Sequence, residues 1–385
     1  MRPIADAPAL IAHDPQWVVF WAGHVRPGQF AIWEPYLRRT RYRTLVVRNG
    51  RMSIDDSVVR AVEAMPRCAI GESFTDVVTW LEDASDLRGF LYVGSYHQNA
   101  ELIDAFPRAA HVWIGHGESA KKANRHRTAT VYDSVFVADY EAVRRYPRGA
   151  RAWIAAGACA IGVPVVEGVT ADARTTPRPI RSILYAPTWE GGSDASDYGS
   201  IPLVAPALLS ALPRLRARGV EVMVRPHPSS GHRLPERTAL AAELLGAGAV
   251  REQDKAAAMT RADLLIGDVS GLTSEFLFTR KPVLLPVWPQ LDALLDPTIR
   301  EREYPFAYAW DVAREPLLER LAELEQSDPL ARVRAAAAHR AFRGHRTVEE
   351  AVATFDLALE AARGRGRWLS VHRAFELRRR FPWAR

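Results

Sequence analysis

The chain has 385 residues, of which 48% are hydrophobic and 25% charged, with a mean hydropathy of -0.15. These proportions belong to a globular protein and exclude disorder or membrane spanning as the dominant theme, and the length leaves room for two domains with a core each. Lys and Arg outnumber Asp and Glu by 51 to 45, a net charge of +6 that favours anionic partners without selecting among them.

Short apolar runs recur at intervals too long for hairpins, with helix-like stretches between them. This is the pattern of parallel strands joined by crossover helices. In the first half the expected strands are Trp17 to Trp21, Thr44 to Arg48, Cys68 to Gly71, Phe90 to Gly94, His111 to Ile114 and Ser134 to Ala138. From Pro164 to Pro179 the sequence is poor in strong helix formers and closes on two prolines, as an interdomain linker would. The pattern restarts with a strand at Ser182 to Ala186, a helix around Pro206 to Arg218, and strands at Glu221 to Arg225, Leu264 to Gly267 and Val283 to Val287. Beyond about residue 330 the chain becomes helical and rich in Ala and Arg.

This reading predicts an N-terminal Rossmann-like domain over 1–168, a C-terminal one over 180–363 and a basic aromatic tail over 364–385. The tail sets Trp368, Val371 and Phe375 among seven arginines, so its apolar stripe is incomplete. It either packs back on the body or lies on an anionic lipid surface. Cys68 and Cys159 are far apart, without a CxxC or His-rich neighbourhood, so neither a disulfide framework nor a metal site is expected. The first residues lack the uninterrupted apolar stretch of a signal peptide, and a cytoplasmic protein is expected.

Four segments place polar groups directly after an apolar strand, where open α/β sheets bind ligands. In the first, Gly115 and Gly117 flank His116, and Ser119, Lys121 and Lys122 follow. An imidazole exposed on a glycine turn suits proton transfer near neutral pH, and the lysines suit a phosphate; a surface His beside solvated lysines is the bland alternative. In the second, Tyr185-Ala-Pro-Thr-Trp-Glu-Gly-Gly, the strand runs into a corner at Thr188 that fits a loop lying against a ligand or a packed strand end. The third holds His227 between Pro226 and Pro228, with Arg225 at the strand end and Ser229 and Ser230 beyond. It suits a diphosphate cage or a rigid structural histidine. The fourth runs from Gly267 through Asp268, Ser270, Gly271 and Thr273 into a helix carrying Glu275. Free N–H groups there favour a phosphate and a carboxylate suits a ribose diol, although Ser270 and Thr273 also read as helix caps. The absence of GxGxxG and Walker A sequences argues against a dehydrogenase or P-loop NTPase.

In this order, Trp113-Ile-Gly-His-Gly with a following Lys, Tyr185-Ala-Pro-Thr-Trp, Arg225-Pro-His-Pro, and Asp268-Val-Ser-Gly-Leu-Thr-Ser-Glu-Phe with Lys281-Pro-Val resemble the CDP-glycerol glycerophosphotransferase family, the teichoic-acid primases and polymerases. The resemblance spans roughly residues 85 to 290. It implies an α/β GT-B fold of two doubly wound Rossmann-like domains facing a central cleft, and metal-independent transfer of a polyol phosphate from a CDP-activated donor to a hydroxyl, releasing CMP. It further implies His116 as general base, His227 with Arg225 and Pro226 on the donor diphosphate, Thr188, Asp268, Ser270, Gly271 and Thr273 around the phosphates, and Glu275 on the ribose. Gly117, Ser119, Lys121 and Lys122 would lie on the acceptor side. The implied partners are CDP-glycerol or a related CDP-polyol and a lipid-linked or glycan polymer acceptor at the inner face of the cell membrane, with no cofactor and no nucleic acid. Asp268-Val-Ser-Gly stands where the family usually has Asp-Tyr-Ser-Ser, so a UDP-sugar glycosyltransferase on the same fold remains a second reading, and a non-catalytic binder of anionic polymer a third.

Overall fold

The computed structural model describes residues 14–21, 30–49, 68–71, 74–94, 97–121, 127–172 and 177–362. Lys122 and the tail over 364–385 lie outside the described residues.

Two parallel sheets organise the chain. The first has seven strands, β1 (Trp17–Trp21), β2 (Thr44–Asn49), β3 (Cys68–Gly71), β4 (Gly89–Tyr92), β5 (Ala110–Trp113), β6 (Ser134–Val137) and β7 (Ala158–Ala160), in the order β3-β2-β1-β4-β5-β6-β7. The second has six, β8 (Ser182–Ala186), β9 (Glu221–Val224), β10 (Val250–Arg251), β11 (Leu264–Gly267), β12 (Val283–Val287) and β13 (Tyr308–Asp311), in the order β10-β9-β8-β11-β12-β13. Continuous apolar runs are what strands covered on both faces require. Every residue of β1, β4, β8 and β11 is buried.

Helices supply the cover. Ile201–Ala217 buries Ile201, Val204, Ala205, Leu208, Ala211, Leu212 and Leu215, a three-and-four spacing that turns one face to the sheet. The helix begins earlier than the expected Pro206 because a proline, here Pro202, is tolerated in the first turn, where the missing N–H has no partner to lose.

In both sheets the strand order reverses direction once, between β1 and β4 and between β8 and β11. At such a switch point the loops leaving the two strands diverge to opposite faces and open a crevice at their carboxyl ends. In the second sheet Ala186 is in register with Gly267, so the residues after them, Thr188 and Asp268, start side by side.

The chain divides into two compact units whose membership is not sequential. The first comprises the described residues up to Gly117, from Arg127 to Pro164, and from Thr347 onward; the second takes in those from Glu118 to Lys121 and from Val165 to Arg346. Besides moving residues 165–168 into the second unit, this departs from the expected division over 1–168 and 180–363 at two places. Helix Val348–Ala362 packs on Glu34–Arg39 within the first unit, with Phe355, 0% exposed, lying 5.7 Å from both Trp33 and Tyr36 and 5.6 Å from Phe136, centroid to centroid. Arg39 pairs with Glu349 at 3.0 Å, Arg41 N donates to Asp356 at 3.2 Å, and the hydroxyls of Thr40 and Tyr42 donate to Asp356 and Glu360. The second departure is segment 118–121, where Ala120 N donates to Tyr304 Oη at 3.2 Å.

Candidate active site

In the first unit the loop after β5 carries His116. Gly115 and Gly117 adopt φ +66° and +134°, left-handed values that side-chain-bearing residues avoid, so the glycines are needed for the turn. The Trp33 indole donates to Gly115 O at 2.6 Å, and His116 Nδ1 lies 2.9 Å from Val93 O. A carbonyl can only accept, so Nδ1 carries the hydrogen and in the neutral ring the lone pair resides on Nε2. The imidazole is exposed. This is the tautomer a general base needs.

In the second unit the loops after β8, β9 and β11 meet. Lys121 Nζ donates to Thr188 Oγ1 at 2.7 Å, and Thr188 N donates to Asp268 Oδ2 at 2.7 Å. Ser200 N reaches the same carboxylate oxygen at 3.1 Å. Asp268 is 1% exposed and fastens these loops from beneath through Oδ2. Burial pushes its carboxyl up to about 6, against the hydrogen bonds from Ser200 and Thr188 and the charge of Lys121. Desolvation lowers the Lys121 ammonium to about 8, opposed by Asp268 and Asp197.

His227 follows β9. Ser229 N donates to its Nδ1 at 3.0 Å; a backbone N–H can only donate, so the lone pair is on Nδ1 and the hydrogen on Nε2. The Trp189 ring lies near-parallel to it, at 18° and 6.1 Å between centroids. The two candidate histidines are therefore fixed in opposite tautomers: Nε2 is a proton acceptor in His116 and a hydrogen-bond donor in His227.

Arg225, half-buried after β9, sends its guanidinium to the carbonyls of Glu252 and Gln253, which orders the loop behind the strand. Ser270 caps the helix Gly271–Phe276 by accepting from Thr273 N at 3.3 Å. Thr273 is fully buried and donates to Asp268 O at 2.6 Å. Glu275 is 5% exposed and pairs with Lys255 at 2.9 Å. The structure thus brings Lys121, Thr188 and Asp268 together and gives Asp268, Ser270, Thr273, Glu275 and Arg225 internal partners. Ser119 is buried. Among the described residues no three His, Cys, Asp or Glu side chains gather as a metal site would require, and no helix is long and apolar enough to cross a membrane.

Sequence reading passed over Glu190. This carboxylate is 1% exposed and accepts from Arg233 N at 2.7 Å, Leu234 N at 3.2 Å and Gly231 N at 3.1 Å. Burial alone would raise it, but these N–H groups outweigh that and hold it below the usual glutamate range. A charged residue placed between Trp189 and a Gly-Gly pair, directly after a buried strand, was the available signal.

No family model and no curated relative matches the sequence. Solved structures do match along most of its length. A wall teichoic acid polymerase, TagF, is 14% identical with a TM-score of 0.55, over 90% of this chain and 89% of that one. Anabaena HepE, in complex with UDP and glucose, is 10% identical with a TM-score of 0.53, over 90% and 100%. MnaA of S. aureus, with UDP, is 13% identical with a TM-score of 0.51, over 87% and 94%. The chain has the GT-B fold.

Proposed function

We propose that the protein transfers a polyol phosphate, glycerol phosphate foremost, from a CDP-activated donor to a hydroxyl of a teichoic-acid-like or capsular polymer, releasing CMP. The observation that carries this reading is the opposite tautomers of the two motif histidines. A phosphoryl transfer of this kind needs one group that takes the acceptor proton and another that donates a hydrogen bond to the donor diphosphate. His116 Nε2 accepts the proton as the acceptor oxygen bonds to the β-phosphorus. The bond from that phosphorus to the bridging oxygen breaks, and CMP leaves with the electron pair. His227 Nε2–H holds the diphosphate as charge develops on it. Lys121, Ser270 and Gly271 offer further groups to the phosphates. The reaction needs no metal in this reading, and the acceptor is carried on a lipid or glycan at the inner membrane face. The TM-score of 0.55 to the teichoic acid polymerase supports the reading alongside the motifs.

A nucleotide sugar is the rival donor, favoured by the similar structures that hold UDP. Thermal unfolding of the full-length protein with CDP-glycerol, CDP-ribitol and UDP-sugars separates the two. A donor at about 100 times its Kd stabilises the native state by roughly 2.7 kcal/mol, and CDP-glycerol should raise the melting temperature and release CMP when an acceptor is added. A shift with UDP compounds alone would sink the phosphotransferase reading.

A further inference from the structure

Three consecutive residues after β8 each fasten a different part of the second unit. Thr188 holds Asp268 and Lys121, Trp189 lies against His227, and Glu190 gathers the backbone N–H groups of Gly231, Arg233 and Leu234. The loop receiving Glu190 is the continuation of the Arg225-Pro-His-Pro turn, so His227 is bounded by β9 on one side and by the Glu190 anchor four residues beyond it on the other.

Arg233 answers the contact. While its N–H donates to Glu190 Oε1, its side chain donates to Glu190 O at 3.2 Å and Gly191 O at 3.3 Å and pairs with Asp194 at 2.8 Å. The two loops are thus joined in both directions, backbone to side chain and side chain to backbone. A carboxylate accepting several N–H bonds is a charge-assisted anchor of roughly twice the strength of a neutral one.

We propose that Glu190 is a positioning residue for His227: its carboxylate closes the loop over residues 227–234, keeps the Ser229 N–H on His227 Nδ1, and so presents Nε2–H as a donor toward the diphosphate of the substrate. The assignment of the diphosphate rests on the function proposed above. The positioning rests on hydrogen bonds within one unit and can be tested without substrate. Glu190→Gln is the informative change, because a carboxamide turns one of the two acceptor oxygens into a donor facing N–H groups.

The test uses the full-length protein with imidazole nitrogens labelled. In the wild type the His227 signals should be those of one neutral tautomer, protonated at Nε2. In Glu190→Gln they should move toward a tautomer average, donor KM should rise about 10-fold or more, and acceptor KM should stay put. If Glu190→Gln does not fold, Glu190→Asp, which keeps the charge and shortens the reach, is read by the same spectra. Unchanged His227 signals in a folded Glu190 variant overturn the proposal, whatever happens to turnover. A wild-type protein that binds no CDP-polyol overturns the donor reading instead, and the ligand-free spectra still decide the role of Glu190.

Discussion

A backbone atom decides the chemistry available to each of the two histidines. Val93 O requires a hydrogen on His116 Nδ1, and Ser229 N requires a lone pair on His227 Nδ1. With a proton acceptor at Nε2, His116→Ala should lower kcat by about 100- to 10,000-fold, the usual contribution of a general base, and leave nucleotide affinity within a few-fold; a steady-state and binding comparison checks this. Asp268 titrates with a definite sign. Its carboxyl is raised from 3.8 to about 6 in the folded protein, so between those values the native state holds a proton that the unfolded chain has released. Stability therefore falls as pH rises through this window, by up to about 1.4 kcal/mol per pH unit, and levels off above it. Asp268→Asn has no such proton, and urea unfolding from pH 4 to 7 should show the wild type losing stability relative to the variant.

At the scale of elements, helix Val348–Ala362 is fastened within the first unit by the ring contacts of Phe355 and by the polar contacts of Glu349, Asp356 and Glu360. Phe355 fills the space among Trp33, Tyr36 and Phe136, and truncating a fully buried Phe leaves a cavity as well as removing apolar contact. Phe355→Ala should cost about 3–5 kcal/mol, read as a lower urea midpoint with the slope unchanged. The helix was legible in the sequence as a helix, because its apolar residues recur at three and four. Its partner was not: Glu34–Arg39 lies some 300 residues earlier, and nothing in either segment names the other. β7, β10 and β13 escaped sequence reading for a different reason. β7 reads Ala-Cys-Ala, too small to give an apolar signal, β10 has two residues, and β10 and β13 lie at sheet edges, where one flank needs no partner and the pattern is relaxed.

On the whole-molecule scale, charge and ligand chemistry part company. The net charge of +6 names no ligand by itself, and the two cations of the second unit's motifs have internal partners as well: Arg225 donates to loop carbonyls and Lys121 to Thr188 in the field of Asp268. Several motif residues prove to hold the loops of the second unit in place. Asp268, Thr273 and Glu275 are buried, while His227 and the exposed His116 keep polar nitrogens whose hydrogens are set by their neighbours. Sequence alone determined the strand segments other than β7, β10 and β13, their parallel arrangement and the position of every motif at a strand end, because a strand covered on both faces must be apolar throughout and the break in that pattern marks where it stops. Only the tertiary structure decided which strand ends are neighbours, which unit claims residues 118–121 and 348–362, and which nitrogen of each histidine holds its hydrogen. The neighbours and the units depend on packing and hydrogen bonds between residues tens to hundreds of positions apart, and the tautomers on single backbone atoms, Val93 O and the nearby Ser229 N; residue patterning carries no record of either.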